Sequence, residues 1–555
     1  MMQRDVPLWA QHYNEGVDPF FVPEKVCLNT MLKRSFERFA DLTHFEYYGK
    51  SFTYGQMRAL AAQVAAGLTA AGIKRGDRVA LHLPNAPWHP IFFFGVMTAG
   101  AAVTHLSPLD AEAEIAHKVH DVDAKMVISL TTPEFSGQFR NLVQQPDFPP
   151  VYLCPDPVSA RGRDCPVPPG MHAVEELMAG HEGAPYDPPV MALDEVALLQ
   201  FTGGTTGTPK AAVLTHGNLS ASVQTYNHLS AVEENSGPGK PGMLYAPLFH
   251  IMGLTSAMLK RTMEGGQMHL RLRFDAASVV DDIEKHRIAS CGGVPTTWIA
   301  IMQLPDIDKR DLSSLEYIGS GGAPLPVEVY NRIRQLTGLK LRGGWGMTET
   351  ASNGTSVPRT MPDEKLGTIG IPLPGCDMAI VDIEDATRRL APGETGEIIF
   401  KSPAVTEAYW HKPEETREAF VDGYLLTGDI GYMDEDGYFY IVDRKKDLIL
   451  SGGFNVYPLT IENAIHMHPD VAEALVIGVP DAYRGESAKA FVVLNQGAEP
   501  FTLEALQAFL QDKLGRHEVP RHLEFRTELP RTSVGKASRK MLKDEEKTKR
   551  QAAEA

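Results

Sequence analysis

Residues 202–210 read Thr202-Gly203-Gly204-Thr205-Thr206-Gly207-Thr208-Pro209-Lys210 and follow the apolar run Val196–Leu199. The glycines, threonines and proline of this stretch are unsuited to the interior of a helix or strand. They suit a loop that wraps an anion, because glycines let backbone N–H groups approach, hydroxyls donate hydrogen bonds, and Lys210 adds a positive charge. The spacing differs from the GxxxxGK[ST] pattern of the ordinary P-loop. The stretch therefore predicts a phosphate-binding loop, with a flexible polar hinge as the alternative.

With its flanks, Leu199-Gln200-Phe201 and Ala212–His216, this loop resembles the phosphate loop of the adenylate-forming superfamily. That superfamily contains acyl-CoA synthetases, the adenylation domains of peptide synthetases, and luciferases. Ala211 stands where many relatives have glycine, and we expect little effect because both residues are small. Further motifs extend the resemblance over residues 30–540. The resemblance implies ATP binding by the loop residues Thr202, Gly203, Gly204, Thr205, Thr206, Gly207 and Lys210.

Length and composition fit this interpretation. A chain of 555 residues is too long for a single hydrophobic core, so two or more domains are expected. A net charge of −17 argues against a nucleic-acid partner. The five cysteines are odd in number and form no CxxC pair, which favours a reducing, cytoplasmic location without a zinc site.

No signal peptide or transmembrane segment is predicted. The N-terminus lacks an apolar core, and the most apolar run, Ile91–Val103, is too short to cross a bilayer and predicts a buried helix. The sequence leaves peripheral membrane association and a homodimer open.

The order of apolar patterns predicts an α/β fold. Strand patterns such as Arg78–Leu83 alternate with helical ones, which is typical of largely parallel sheets. We predict a large N-terminal domain of stacked α/β subdomains with a small β-rich subdomain at 371–442, and a smaller mobile α+β C-terminal domain. The predicted domains are 1–445, for AMP and acyl-substrate binding, and 446–555.

Local composition also predicts one connection, one helix start and the state of the C-terminal tail. The Pro/Gly-rich segment 155–189 predicts a long surface connection. A helix entered through Asn218–Ser220 is predicted to follow the phosphate loop. The highly charged tail from Lys543 onward is predicted to fray.

His250 ends the segment Leu248-Phe249-His250, after a predicted strand at Met243–Ala246. A single histidine is more often structural than catalytic. The position matches the superfamily's Phe-His motif, however, and the resemblance implies that His250 helps to shape the site of the acyl carboxylate. The next residues, Ile251–Leu254, are apolar or small, as a wall facing an alkyl chain would be.

Two glycine-rich stretches follow, at Gly319–Pro324 and Gly343–Thr350. The first suits a strand-to-helix turn. The resemblance instead places its backbone beside adenine and the carboxylate, with nucleotide contacts at Gly322, Ala323 and Pro324. In the second stretch, Trp345, flanked by Gly344 and Gly346, offers a flat face on which adenine can stack. Many relatives carry tyrosine there, and tryptophan keeps the face while losing the hydroxyl.

Thr348 and Glu349 follow Trp345 and are expected to act on the phosphates and their metal. Thr348 can donate a hydrogen bond to phosphate. Glu349 is a hard oxygen ligand of the kind that Mg²⁺ takes in addition to substrate phosphates. Thr206 is the second predicted metal ligand. A carboxylate that caps a helix is the alternative for Glu349 alone.

The remaining motifs resemble the ribose site, the hinge and the CoA face of the superfamily. Asp429, in Thr427-Gly428-Asp429, is a carboxylate that can accept from both ribose hydroxyls. The resemblance implies that Arg444 also reaches the ribose and that the C-terminal domain swings about Lys446. Gly452 and Gly453 suit a surface that the pantetheine arm of CoA passes closely, with an exposed β-turn as the alternative.

Lys536, in Pro530-Arg531-Thr532-Ser533-Val534-Gly535-Lys536, matches the superfamily's Pro-x-x-x-x-Gly-Lys pattern. A lone lysine near a basic tail is usually a solvated surface residue. The resemblance implies a catalytic lysine that binds the substrate carboxylate and an α-phosphate oxygen together, offsetting their mutual repulsion.

The implied enzyme is an AMP-forming, Mg²⁺-dependent acyl-CoA synthetase that uses ATP and CoA. The loop variant Thr-Gly-Gly-Thr-Thr-Gly and the Leu-Phe-His-Ile segment look most like those of fatty acyl-CoA ligases, and this resemblance implies a medium- or long-chain fatty acid. The predicted pocket lacks a carboxylate that could hold an amino group, and its positions are Met252, Gly253, Val294, Gly321, Met347 and Ala351. Aryl or hydroxycinnamic acids are the alternative substrates. A dicarboxylic acid is a further one, although the basic residues that suggest it are predicted to be solvated: Lys260, Arg261, Arg271 and Arg273.

Two other classes of protein share these motifs. A stand-alone adenylation enzyme would load a separate carrier protein, because no carrier domain is apparent in the sequence. A luciferase-like oxidase uses the same scaffold. A non-catalytic binding protein is disfavoured, because Glu349, Asp429, Arg444 and Lys536 are all present.

Overall fold

The computed structural model describes residues 6–155, 165–202, 209–233, 236–321, 327–452, 454–481, 483–532 and 537–554. Several predicted site residues lie outside these ranges: Gly203, Gly204, Thr205, Thr206, Gly207, Gly322, Ala323, Pro324, Gly453 and Lys536.

Two seven-stranded sheets are built from the strands up to residue 344. These are β1 (Thr43–Tyr47), β2 (Lys50–Thr53), β3 (Arg78–Leu81), β4 (Ala102–His105), β5 (Ala124–Leu130), β6 (Val151–Cys154), β7 (His172–Ala173), β8 (Val196–Phe201), β9 (Ala211–Thr215), β10 (Pro241–Leu244), β11 (Gln267–Leu270), β12 (Ser290–Gly293), β13 (Tyr317–Gly321) and β14 (Arg342–Gly344).

Each sheet is parallel apart from one edge strand. The first sheet has the order β7-β6-β5-β3-β4-β8-β9, and β9 runs antiparallel to β8. The second has the order β14-β13-β12-β10-β11-β1-β2, and β2 runs antiparallel to β1. Parallel strands need crossover connections, which the helices supply.

These helices are α1 (Leu28–Arg38), α2 (Tyr54–Ala70), α3 (Trp88–Thr98), α4 (Glu112–Asp121), α5 (Pro133–Ser136), α6 (Val174–Met178), α7 (His216–Ser230), α8 (Lys260–Glu264), α9 (Ala276–His286), α10 (Pro295–Met302) and α11 (Val327–Thr337). A π-helix (Met252–Leu259) leads into α8.

One apolar core joins the two sheets. It contains Val103 and Leu198 of the first sheet and Phe45 and Leu270 of the second, together with most of α3. Every residue of α3 after Trp88 is buried, which explains why this helix is apolar on all sides.

The next part of the chain forms a β-rich unit. It contains β15 (Thr355–Ser356), β16 (Ile371–Pro372), β17 (Asp377–Val381), β18 (Gly396–Lys401), α12 (Pro413–Glu418), β19 (Phe420–Val421), β20 (Tyr424–Met433) and β21 (Phe439–Arg444). Strands β17 to β21 make an antiparallel five-stranded sheet.

The last unit packs helices on another five-stranded sheet. Its elements are β22 (Ile449–Ser451), β23 (Phe454–Val456), α13 (Pro458–His466), β24 (Val471–Asp481), β25 (Gly485–Leu494), α14 (Leu503–Leu510), β26 (His522–Phe525) and α15 (Arg539–Glu554). The predicted fold class is confirmed. The boundary between residues 445 and 446 stays a prediction.

No helix within the described ranges combines the length and the apolar character needed to cross a bilayer. The predicted buried helix in Ile91–Val103 is confirmed as far as Thr98 and is wrong beyond it, because Gly100 adopts a left-handed φ of 74° and β4 begins at Ala102.

The predicted surface connection at 155–189 is wrong in its second half. There β7 extends the first sheet and α6 packs on α2. The contact is close, since a Cβ at Gly67 would lie 2.0 Å from the carbonyl oxygen of Leu177. Short elements of this kind carry too few residues to show a clear period.

The predicted entry into α7 is two residues late, and β9 was missed. The helix begins at His216, where the Thr215 hydroxyl accepts a hydrogen bond from the backbone N–H of Asn218 at 3.1 Å. The fraying prediction for the tail is also wrong: α15 extends to Glu554, and its charged side chains pair with the neighbouring sheet, for example Glu546 with Lys489 at 2.8 Å.

Three buried carboxylates meet one guanidinium where β21 leads into the last unit. Arg539 Nη2 lies 2.7 Å from Glu462 Oε2, and its Nη1 lies 3.5 Å from a carboxylate oxygen of both Asp443 and Asp447. Burial raises the pKa of Glu462 to about 7, although Arg539 opposes the shift. The carboxylates outnumber the cations in this cluster, so the carboxyl of Glu462 retains its proton more readily than a solvated carboxyl does.

This cluster predicts a pH-dependent stability. The folded pKa of Glu462 lies above its ordinary value of 4.5, so its burial becomes more destabilising as the pH rises from about 4.5 to about 7. We expect the difference in Tm between Glu462→Gln and wild type to increase from pH 5 to pH 8. The increase corresponds to a gain of ~1–3 kcal/mol in the variant's relative free energy of unfolding. Exposed Glu499 supplies the control, Glu499→Gln, whose relative Tm should stay flat. A flat difference for Glu462→Gln would contradict the assignment.

Candidate active site

The predicted site residues lie where parallel strands end. The phosphate loop follows β8 of the first sheet. In the second sheet, His250 and Trp345 follow β10 and β14, and Gly321 is the last residue of β13. Ligands of open α/β sheets bind at the carboxyl ends of their strands. The two sheets therefore bring motifs that are distant in sequence to a common edge.

The two ends of the phosphate loop are fixed by a hairpin. Phe201 pairs with Ala211 across β8 and β9, and the backbone N–H of Thr202 donates to the carbonyl oxygen of Lys210 at 2.8 Å. The loop thus connects two antiparallel strands, whereas a P-loop leads from a strand into a helix. Residues 203–208 lie outside the described part of the chain.

Lys210 and Glu349 both contact Tyr409, a residue that the sequence did not indicate as part of the site. The Lys210 ammonium lies 4.5 Å from the centre of the Tyr409 ring, and the Tyr409 hydroxyl donates to Glu349 Oε1 at 2.8 Å. Burial, and then the charge of Glu349, raise the pKa of Tyr409, so the phenol keeps its proton and stays a donor. Tyr409 thereby connects the cation beside the phosphate loop with the predicted metal ligand.

Glu349 itself is buried, with 7% of its surface exposed, in a short 3₁₀ turn at Thr348–Thr350. Its carbonyl oxygen accepts from the backbone N–H of Thr406 at 2.7 Å, which also fixes the chain just before Tyr409. A carboxylate with a fixed backbone and one oriented oxygen fits a Mg²⁺ ligand.

We expect Tyr409→Phe to raise the Mg²⁺ concentration needed for half-maximal activity by about tenfold, since the phenylalanine cannot orient Glu349. The ring that carries Lys210 is retained, so the change isolates the hydroxyl. Initial rates titrated with Mg²⁺ at saturating ATP measure the effect. Tyr432→Phe, on the stacked pair Tyr432–Tyr440, is the control. An unchanged Mg²⁺ titration would show that the Tyr409 hydroxyl does not orient a metal ligand.

Trp345 and Arg444 converge on the predicted ribose ligand, Asp429. The indole Nε1 donates to Asp429 Oδ2 at 2.7 Å, and Arg444 Nε lies 2.5 Å from Oδ1. Asp429 is 1% exposed and faces Arg444 across β20 and β21. A carboxylate can accept from several donors at once, as the predicted ribose ligand must. Trp345 also packs edge-on against Phe400, with 5.6 Å between ring centres.

Close packing of the protein accounts for the glycines on either side of Trp345. A Cβ at Gly344 would lie 2.2 Å from the carbonyl oxygen of Thr355, and one at Gly346 would lie 2.4 Å from that of Ser352. Because they lack a Cβ, these two glycines let residues 352–355 pack closely against the end of β14. Gly321 differs, because a Cβ there would meet nothing closer than 3.7 Å.

The loop that carries His250 lies between the end of β10 and the π-helix. Leu248 and Ile251 are buried on either side of the half-buried histidine. The backbone N–H of Met252 points to His250 Nδ1 at 3.4 Å.

The predicted pocket positions are only partly brought together. Met252 Sδ would lie 3.9 Å from a Cβ at Gly321, so these two are neighbours. Gly253 is instead packed on the preceding loop, where a Cβ would lie 2.2 Å from the carbonyl oxygen of Pro247. Ala351 is fully buried in the core.

Three of the four basic residues predicted to be solvated are not. Lys260 pairs with Glu264 at 2.9 Å, Arg261 is buried, and Arg271 is buried between Glu46 and Asp282. Only Arg273 is exposed. Acidic partners of Lys260 and Arg271, and the packing of Arg261 against the second sheet at Gly242, explain the difference. The ion pairs occupy two of the cations that a second substrate carboxylate would need.

A group of three ligand-type side chains lies outside this site. Glu46, His269 and His286 are close enough together to hold a metal ion, and they are the one such group among the described residues. Arg271 Nη1 already lies 2.7 Å from Glu46 Oε2, so the carboxylate has a cationic partner.

Lys446 and Gly452 lie beyond the β-rich unit. Lys446 belongs to a 3₁₀ turn at Lys445–Asp447, directly after Arg444. Gly452 is exposed, has a left-handed φ of 61°, and turns the chain between β22 and β23. The predicted contact of Gly452 with CoA stays a prediction.

Comparison with known proteins gives full-length matches. The family described as AMP-binding enzyme matches residues 32–410, and AMP-binding enzyme C-terminal domain matches 460–536. The chain is 38% identical to a long-chain-fatty-acid–CoA ligase of Bacillus subtilis, over 98% of this chain and 99% of the relative. It is 37% identical to a feruloyl-CoA synthase of Amycolatopsis, over 89% and 94%.

A similar solved structure is the o-succinylbenzoate coenzyme A synthetase of Bacillus subtilis in complex with ATP and a magnesium ion. It has a TM-score of 0.78 and 26% identity, and the match covers 93% of this chain and 99% of that one. Similarity therefore extends through both parts of the chain, including the segment that ends at residue 536.

Proposed function

The chain belongs to the AMP-binding enzyme family, and from that premise we propose that it is an AMP-forming acyl-CoA synthetase that acts on medium- or long-chain fatty acids. ATP and CoA are its other substrates. The observation that carries the proposal is the meeting of Lys210, Tyr409 and Glu349 at the edge where Trp345 also contacts Asp429. This arrangement provides, side by side, groups suited to phosphate, metal and ribose.

The first step forms an acyl-adenylate. A carboxylate oxygen attacks the α-phosphorus of ATP, the bond to the β-phosphate bridge breaks, and pyrophosphate leaves. Glu349 is the residue suited to hold Mg²⁺, which supplies positive charge to the phosphates when it is bound. Lys210 and Lys536 add charge, and Asp429 with Arg444 orients the ribose. Such a reaction depends on positioning and charge neutralisation more than on proton transfer.

The second step forms the thioester. The CoA sulfur attacks the acyl carbon, the bond to the AMP oxygen breaks, and the thiol proton is lost to solvent or AMP. We propose that the C-terminal domain, residues 446–555, turns about Lys446 between the steps, withdrawing Lys536 and presenting Gly452 and Gly453 to CoA. A movement of this kind is a hinge motion that gates the reaction.

A fatty acid is supported by the full-length similarity to a long-chain-fatty-acid–CoA ligase and by the apolar surroundings of His250. The second candidate is a hydroxycinnamic acid, which the similarity to feruloyl-CoA synthase favours. The ion pairs of Lys260 and Arg271 argue against a dicarboxylic acid. A cytoplasmic location and a homodimer stay predictions.

The test is a panel of acids from acetate to oleate, with cinnamates, dicarboxylates and amino acids, assayed for AMP release with and without CoA. We expect CoA-dependent AMP release that peaks between medium and long fatty acids. A peak at ferulate would select the second candidate. Adenylation that does not respond to CoA would indicate a carrier-protein acceptor and contradict the proposal.

A further inference from the structure

Two side-chain amides of the first sheet hold the loop that carries His250 in the second. Asn85, just after β3, donates from Nδ2 to the carbonyl oxygen of Ala246 at 2.9 Å and accepts at Oδ1 from the backbone N–H of Leu248 at 2.8 Å. Gln200, in β8, donates from Nε2 to the carbonyl oxygen of Phe249 at 3.0 Å. The loop is therefore fixed at three backbone atoms by groups from another sheet.

Gln200 is itself oriented by a buried histidine. Its Oε1 lies 2.9 Å from Nδ1 of His105, at the end of β4. The carbonyl of Phe249 can only accept, so the amide nitrogen of Gln200 must face it and Oε1 must face His105. His105 then has to carry its proton at Nδ1. Burial lowers the pKa of His105 to about 4, so the ring is neutral and donates from that nitrogen alone.

Burial makes this chain of hydrogen bonds costly to break. Asn85, His105 and Gln200 are 2%, 2% and 5% exposed. A buried polar group that loses its partner is destabilised, because water cannot replace the bond. Gln200 also lies two residues before Thr202, so the same strand end holds both the phosphate loop and the acyl loop.

We infer that Gln200, oriented by His105 and assisted by Asn85, is a positioning residue that sets His250 relative to the phosphate loop for adenylation. The inference rests on the proposed function. None of these three side chains needs to touch substrate. Loss of the bond to Phe249 lets the carboxylate site move relative to the α-phosphate, and a displacement of about 1 Å can cost ~10²-fold in rate.

The experiment compares Gln200→Leu, His105→Leu and the double variant in the adenylation half-reaction. We expect Gln200→Leu to raise the KM for the acid and lower kcat, for a ~10–100-fold loss of kcat/KM, while the KM for ATP stays within about twofold. His105 reaches the loop only through Gln200, so the double variant should be no worse than Gln200→Leu.

Two further histidine variants separate positioning from general damage. His105→Asn places an amide N–H where Nδ1 was and should restore near wild-type kinetics. His82 is equally buried, but it bonds Ser129 at 2.9 Å and packs edge-on against Phe139. His82→Leu should lower Tm without changing the KM for the acid. Additive losses in the double variant, or a matching rise in acid KM for His82→Leu, would overturn the inference.

Hydrogen exchange of the free protein supplies a readout that needs no activity. Peptides covering residues 246–250 should exchange faster in Gln200→Leu than in wild type, and unchanged exchange would overturn the inference. If Gln200→Leu does not fold, Gln200→Met serves in its place, because it keeps the length of the side chain and lacks the donor for Phe249. A wild-type protein that activates no fatty acid would instead defeat the proposed function, and the exchange experiment would still decide the role of Gln200.

Discussion

Replacing Lys536 with alanine should lower the rate of acyl-adenylate formation by about 10²–10³-fold, as expected when a charge placed on a reacting centre is removed. Thioester formation from preformed acyl-adenylate should stay within about threefold of wild type, because CoA attack does not require neutralisation of the α-phosphate. Lys536 lies outside the described residues, and its proposed role rests on the family motif and on the match that extends to residue 536. The two half-reactions must therefore be measured separately.

Lys540 provides the matched control for this prediction. It lies four residues further on, in the first turn of α15, and carries the same charge. Lys540→Ala should leave both half-reactions near wild type. If Lys536→Ala impaired the two half-reactions equally, Lys536 would be a structural residue. That result would also contradict the proposed rotation of the C-terminal domain between the two steps.

Glu349→Gln has the second largest expected effect, a loss of about 10²-fold in kcat/KM for Mg-ATP. The amide oxygen of glutamine can still accept the hydrogen bond from Tyr409, so the local structure is retained while the negative charge is lost. A neutral ligand holds Mg²⁺ more weakly, so raising the Mg²⁺ concentration should recover part of the activity.

Neighbouring Glu407 is exposed and supplies the control Glu407→Gln, which should behave as wild type. Activity of Glu349→Gln that is normal at every Mg²⁺ concentration would exclude a metal role. Glu349 would then be the buried partner of Tyr409 and no more. A loss that Mg²⁺ cannot relieve at all, together with a lower Tm, would point to the same structural role.

The architecture was predictable because its signals are local. Alternating strand and helix patterns indicate parallel sheets wherever they occur, and the motifs follow one another in a recognisable order. Where signals are short, prediction failed: β7 and α6 together span seven residues, and β9 is a strand of five residues beside a glycine-rich loop. The helical tail was missed because its partners, such as Lys489, belong to a distant strand.

The site was predictable only as far as its motifs reach. Tyr409 lies 60 residues from Glu349 in sequence, and nothing in Ala408-Tyr409-Trp410 indicates that the two meet. The amides of Asn85 and Gln200 bridge 161 and 49 residues to reach the His250 loop. Gln200 did carry a signal, since it is a polar residue in an otherwise apolar strand, and such residues are buried only when they have partners.

Product analysis of one reaction, with ATP, CoA and the best fatty acid of the panel, tests AMP-forming thioester synthesis most directly. We expect AMP, pyrophosphate and acyl-CoA in equal amounts, and acyl-adenylate on the enzyme when CoA is withheld. ADP and phosphate as products, or acyl-CoA formed without an adenylate, would contradict it.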